Sequence, residues 1–353
     1  MLQPLLQSRW QYVLVLLSPF FFWGTAMVAM KGVIPHTSPF FLAAIRLLPA
    51  GLLILMAAAV SGRSQPQGLK AWSWIALFAL VDGTLFQGFL AWGLQDTGAG
   101  LGSVLIDSQP LMVALLSAWL LGEYIGVWGG IGLVLGLIGV SAIGLPEHWL
   151  MQLLNLDSTL GAASSSVSIG QSLSFGEGMM LLASLSMALG TVMMPKVSKY
   201  VDPVVATGWH AILGALPLLG LSWGIESKPW QHLTAWDWGA LAYATIFGTA
   251  IAYGLFFNFA AQGNLTSLSS LTFFTPVFAL VFGYWLLGET LTPLQMTGAI
   301  LTLGSVYLIE RRQKLPKLSW GRSPNLSEVP PPPSSLKPEA SLSDSSGPQT
   351  PSR

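Results

Sequence analysis

The sequence contains no cysteine. A disulfide framework and a thiolate metal site are therefore both excluded. Charge is scarce as well: Asp, Glu, Lys and Arg make up 8% of 353 residues, against about 25% in an average soluble domain. So little charge cannot cover a water-facing surface. Net charge is zero, which gives no electrostatic reason to expect a nucleic-acid partner. Walker and HExxH motifs are missing, and the four histidines are scattered, so neither ATP chemistry nor a cofactor or metal site is expected. Gly98–Gly102, "GAGLG", lacks the preceding strand of a nucleotide loop.

What the chain does have is apolar length. Mean hydropathy is +0.63, and runs of roughly 20 apolar residues recur, enough to cross a bilayer as helix. Ten spans are expected: 11–30, 38–60, 72–92, 101–121, 125–144, 177–197, 204–224, 237–258, 265–287 and 292–309. Each must be helical, because lipid offers no water to satisfy open backbone groups. The fold class expected is an all-α polytopic membrane protein. No small-residue cleavage site follows the first run, so it reads as a retained helix. Residues 145–175 are small and polar and read as a flexible linker. The chain beyond 312, with its "PPPP" run, reads as a disordered tail. Placing both termini in the cytoplasm puts twelve of the fifteen Lys and Arg residues inside, as the positive-inside rule asks. An Asn-Leu-Thr acceptor at 264–266 then falls inside and is discounted.

The chain repeats itself. "WLLGE" occurs at 119–123 and again at 285–289, 166 residues apart. The same shift lays Pro110 on Pro276, Gly132 on Gly298 and Gly24-Thr25 on Gly190-Thr191. A shift of 164 lays Trp72 and Trp74 on Trp236 and Trp238. Two five-helix units are implied, 1–144 and 176–311. An odd number of spans per unit turns the second unit upside down, the inverted repeat of many secondary transporters. The Glu of "WLLGE" is expected to sit against the N-terminus of the helix that follows it.

The stretch "FFWGTAMVAMKGVIPHTSPFFLAAIRLLPAGLLIL" resembles the opening of the EamA-type family in the drug/metabolite transporter superfamily. Trp23-Gly24, Lys31 and Arg46 carry that likeness, and the "P…WLLGE" helix endings match it too. The resemblance covers residues ~12–311 and implies an inner-membrane carrier of ten helices. In it helices 1–4 and 6–9 line a central cavity, and the substrates are amino acids, other metabolites or toxic compounds. Two features depart from the pattern: His210 stands where the second half would repeat Arg46, and the linker is long.

Ionisable residues inside spans are expensive and mark candidate sites. They are Arg46, Asp82, Asp107 and His210. Asp107 lies three residues before Pro110, whose ring frees a carbonyl, and one turn after Ser103. It is a candidate contact for an amine or cation, or a proton carrier; a structural pair with Arg46 is the alternative. Arg46 has the fork to hold a carboxylate or phosphate, or it neutralises Asp82 or Asp107. Trp23, Gln87, Tyr253, Asn258 and Thr275 are weaker candidates for the cavity wall, with interhelical bonding as the alternative. Pro110 and Pro276 are candidate helix breaks. Glycine pairs 126/130 and 132/136 permit close helix approach, either in a homodimer or within the chain.

The reading is a secondary transporter, not an enzyme, that exports an amino acid-like or drug-like solute by alternating access. Proton coupling or exchange drives it, and its partners are the solute and the lipid bilayer. An importer or exchanger of a phosphorylated metabolite is the second reading, although a phosphate usually gathers several basic groups. A membrane scaffold without transport is the remote third.

Overall fold

The computed structural model describes residues 9–30, 32–96, 105–144, 175–288 and 292–312. Almost all of the 145–175 linker, the tail beyond 312, Lys31, Ser103 and Glu289 lie outside these residues. Among the described residues the regular structure is entirely helical, with no strand. Helices α1 (Arg9–Met30) and α2 (Pro39–Val60) are followed by α3, which runs Gly68–Phe78, Ala79–Phe86 and Gln87–Asp96. Then come α4 (Gln109–Leu121), α5 (Gly126–Gly144), α6 (Phe175–Val197) and α7 (Pro203–Ile225). Helix α8 runs Ala235–Tyr243, Ala244–Ile251 and Ala252–Ala260; α9 runs Leu265–Ser270, Leu271–Phe273 and Phe274–Leu287; α10 is Pro293–Arg311. Eight of these are long and apolar enough to cross a membrane by length and composition, and α4 is a shorter apolar helix in its described part.

Local chemistry sets the helix ends. Pro39, Pro203 and Pro293 open α2, α7 and α10, where a missing N–H is no loss. The Asp202 carboxylate accepts the Val204 and Val205 N–H groups, and Thr234 with Asp237 forms a capping box on α8. Gly122 and Gly288 close α4 and α9 with φ of 68° and 67°, the left-handed turn that glycine takes without strain. The two "WLLG" runs are thus equivalent helix stops. Their tryptophans, Trp119 and Trp285, project outward, as aromatic residues do at membrane interfaces.

The two halves are inverted, and contacts between equivalent helices prove it. The start of α2 meets the end of α7, where Phe40 and Phe41 N–H groups donate to Glu226. The end of α2 meets the start of α7, where Arg63 donates to both oxygens of Asp202 at 3.0 and 2.8 Å. Repeat-equivalent helices therefore run antiparallel. The same holds for α5 and α10. A Cβ added to Gly132 would lie 3.1 Å from the Ser305 carbonyl, and one added to Gly139 would lie 2.8 Å from that of Gly298. Ser305 is Gly139 shifted by 166, and Gly298 is Gly132 shifted by 166. The two contacts are therefore one contact repeated by an internal two-fold axis, in the manner of an isologous dimer. Lipid gives helices no hydrophobic reason to associate, so such small-residue approaches carry the packing. Gly132 and Gly136 pack inside the chain, against α10 and Phe273.

Candidate substrate site

Four helices lose their regular winding, in two repeat-equivalent pairs. Helices α3 and α8 are π-wound over Ala79–Phe86 and Ala244–Ile251. Each segment holds a Gly-Thr pair, 83–84 and 248–249. The Thr249 hydroxyl donates to the Ala244 carbonyl five residues back, and Thr84 donates across to Gly214 of α7. Helix α4 is preceded by a turn at Asp107 and Ser108, and α9 tightens to a 3₁₀ turn over Leu271–Phe273. Buried Pro110 and Pro276 follow those breaks two and three residues on. Single π turns and broken helices are recurrent features of functional sites in membrane carriers.

Between these breaks lies a chain of polar groups. Arg46 of α2 donates to Gln87 Oε1 at 3.3 Å, and Gln87 Nε2 donates to the Tyr253 hydroxyl at 3.1 Å. Gln87 and Tyr253 are 166 residues apart, one more than the 165 that separates the two π segments. Their bond therefore joins positions one residue short of equivalence, just after the two π segments. Trp23 stands edge-on to Tyr253, ring centres 5.5 Å apart. On the other side of Tyr253, His210 Nε2 meets Asp82 Oδ2 at 3.0 Å, both side chains 1% exposed. Phe78 stacks on the His210 ring, 4.3 Å between centres.

The repeat relation between Arg46 and His210 is visible in space. Arg46 reaches Gln87, and His210 flanks Tyr253, ring centres 6.3 Å apart. What sequence left open for Arg46 is corrected here: among the described residues it forms no ion pair with Asp82 or Asp107. Asp82 pairs with His210 instead, because both side chains lie where the π segment crosses α7. The Arg46 guanidinium keeps a buried Nε without partner and is otherwise half-buried.

The remaining candidates divide. No hydrogen bond or ion pair joins half-buried Asp107 to another described residue. Its neighbour Ser108 lies 3.3 Å from the Ser184 hydroxyl of α6. Thr275 is buried with an unpartnered hydroxyl, and the Asn258 amide makes no bond within the described residues. Ser103 falls outside them. Sequence reasoning passed over Gln109, the repeat mate of Thr275, which donates to Thr191 at 3.3 Å. Its place one residue before Pro110 was the available signal. It also passed over Gly220-Leu221-Ser222-Trp223-Gly224, the spacing of a serine nucleophile elbow. That motif needs a strand-to-helix turn, and here it lies within α7.

Glu123 corrects another expectation. Its carboxylate does sit on a helix N-terminus, but that of α9 in the other half, accepting the Thr266 N–H at 3.2 and 3.3 Å. Arg312 at the end of α10 donates to Glu123 at 3.1 Å and to Ser267 at 2.7 Å. This cluster and the Arg63–Asp202 pair tie the halves at one end. At the opposite end His36 meets Asp237 at 3.0 Å, and Glu226 holds the start of α2. A surface hollow of about 370 Å³, lined by residues such as Gln65, Tyr200 and Asp202, lies beside the Arg63–Asp202 tie, away from the polar chain.

Two inverted repeats with matched helix breaks around a polar centre are the architecture of a secondary transporter. The chain belongs to the EamA-like transporter family, whose model matches residues 10–145 and again 174–311. An uncharacterized transporter of Synechocystis is 60% identical over 302 residues, covering 86% of this chain and 90% of that protein. A chloroplastic WAT1-related protein of Arabidopsis thaliana is 53% identical over 300 residues, 84% of this chain and 68% of that one. Protein PecM of Dickeya dadantii is 27% identical over 311 residues, covering 84% and 93%. A solved crystal structure shares the fold, with a TM-score of 0.67 at 17% identity over 87% of this chain and all of that one. The protein is a multi-pass membrane transporter.

Proposed function

We propose that this transporter exports a small organic solute, amino acid-like or drug-like, across the inner or plasma membrane by alternating access, with both termini in the cytoplasm. The observation that carries the reading is Arg46: a half-buried arginine between the helix breaks, without a carboxylate partner among the described residues, bonded to Gln87. An unbalanced charge at that depth is expensive, and a solute that brings an anionic group balances it. Asp107, likewise without a partner and placed at the α4 break, is the candidate contact for an amine. A solute bearing both groups is amino acid-like. A single arginine favours a carboxylate over a phosphate, because a phosphate recruits several basic groups. Polar ties at the two ends break in turn while α3, α4, α8 and α9 flex at their matched interruptions.

The test is metabolite profiling of cells and medium in a deletion strain and an overexpressor. A compound that accumulates inside the first and outside the second supports export and names the solute. No compound moving in opposite directions rejects export under those conditions. Arg46→Gln in the overexpressor should abolish the effect while the protein remains in the membrane.

A further inference from the structure

We propose that the Asp82–His210 pair is the proton-binding site through which transport couples to protons; this rests on the transporter reading above. The argument is a count of donors. His210 Nδ1 faces the Thr207 carbonyl at 2.7 Å. A carbonyl only accepts, so Nδ1 carries a hydrogen. His210 Nε2 faces Asp82 Oδ2 at 3.0 Å. A bare ring nitrogen against a bare carboxylate would set lone pair against lone pair. One proton must lie between them, on Asp82 beside a neutral ring or on Nε2 beside a carboxylate. In either form the pair is neutral overall and holds one proton more than a carboxylate with a neutral histidine.

The surroundings make that proton conditional. Asp82 Oδ1 is buried without a partner among the described residues. An ionised carboxylate accepts about four hydrogen bonds, so Asp82 is poorly equipped to stand alone as an anion in the closed bundle. The site is shaped around it: a Cβ on Gly190 of α6 would lie 2.6 Å from Asp82 Oδ1. Titratable and charged neighbours are few. Helix α8 contributes Tyr253, whose hydroxyl Gln87 already holds, and α2 contributes Arg46, which reaches Gln87. Helix α6 faces the pair with Gly190.

Asp82 sits inside the π segment of α3, and His210 on the neighbouring α7. A change of winding there shifts Asp82 against His210 and opens the contact to water. The proton then passes to that water, leaving a carboxylate and a ring protonated at Nδ1 alone. Net charge at the pair falls from 0 to −1, and one proton enters solution. Reprotonation from the opposite side restores the closed contact.

Two arms test this. In the first, His36, His148 and His232 are replaced by Gln, and the ring nitrogens of His210 are followed by ¹⁵N NMR in lipid nanodiscs. Both arrangements above predict a proton bridging Nε2 and Asp82 in the closed contact, lost when the contact opens to alkaline water. A Nε2 signal with no proton contact at any pH at which the protein stays folded overturns the proposal. In the second, proteoliposomes with an imposed pH gradient are given each of the twenty common L-amino acids. Asp82→Asn and His210→Gln should lose gradient-driven accumulation but keep solute self-exchange, and Asp107→Asn should keep pH dependence while its KM rises. Retained accumulation in both pair variants overturns proton coupling here and leaves the transporter reading intact. If the wild-type chain moves no amino acid, the solute class is rejected, and the NMR arm still decides the pair.

Discussion

Removing the Glu123 carboxylate tests whether the ties at the bundle ends govern conformation. Glu123 is 16% exposed and Arg312 5%. Glu123→Ala deprives the Thr266 N–H of its acceptor and strips Arg312 of its counter-charge. Arg312 keeps Ser267, Asn264 and the Ile309 carbonyl, so the cluster loosens without collapsing. Breaking a fully buried pair costs ~3–5 kcal/mol, and an exposed one under 1. This pair is intermediate, so about 2 kcal/mol is lost from the state in which that end is shut. That corresponds to about 30-fold in the ratio of shut to open. The chain's lack of cysteine makes the assay clean. Asn258→Cys, at a half-buried position on α8, is labelled with a membrane-impermeant maleimide in vesicles of either orientation. Glu123→Ala should raise the labelling rate from the Glu123 side by up to that factor and leave or lower it from the other. Glu123→Gln, which keeps the shape, should give a smaller rise. Equal rates from both sides, with only a drop in thermal stability, would refute the reasoning and make the cluster a simple structural cap.

Three further outcomes are expected. Arg46→Lys should retain less than a tenth of transport at low solute, seen as a raised KM, because a point charge does not reproduce the guanidinium fork. Gly139→Leu should lower the thermal midpoint in detergent by several degrees, since overpacking costs ~1–3 kcal/mol, whereas Gly130→Leu, with nothing within 4 Å of its added Cβ, should be nearly silent. Pro110→Ala and Pro276→Ala together should slow solute movement while preserving binding, measured as exchange rate against affinity; unchanged exchange would show that the breaks do not flex.

Much of the architecture was legible because membrane helices advertise themselves by length and because the duplication is nearly gapless from 103 to 143. The sequence marks Pro110 and Pro276 as candidate breaks and Gly132 as a place of close helix approach, without naming the helix that approaches. Partnerships were not legible. Arg46 is the partner the sequence suggests for Asp82, but Asp82 lies in the π segment of α3, which no hydropathy pattern encodes, and meets His210. Glu123 was matched to the wrong helix because the inverted half brings α9, 143 residues away, against the turn after α4. The Gly-Thr pairs at 83–84 and 248–249 were the missed clue to that winding.

The Gln87–Tyr253 bond has a consequence of its own. Suppose the two halves exchange roles when the carrier reverses. Most contacts must then be swapped for their counterparts, and the Glu123–Arg312 tie has none, since Pro146 occupies the position equivalent to Arg312. The Gln87–Tyr253 bond joins positions one residue short of equivalence, so it is carried nearly onto its own place. It need not break, and acts as a fulcrum. The solute site around it would therefore show much the same face to both compartments. Any preference for one side would reside in the unmatched fastenings at the rims, which set how long the carrier waits facing each way.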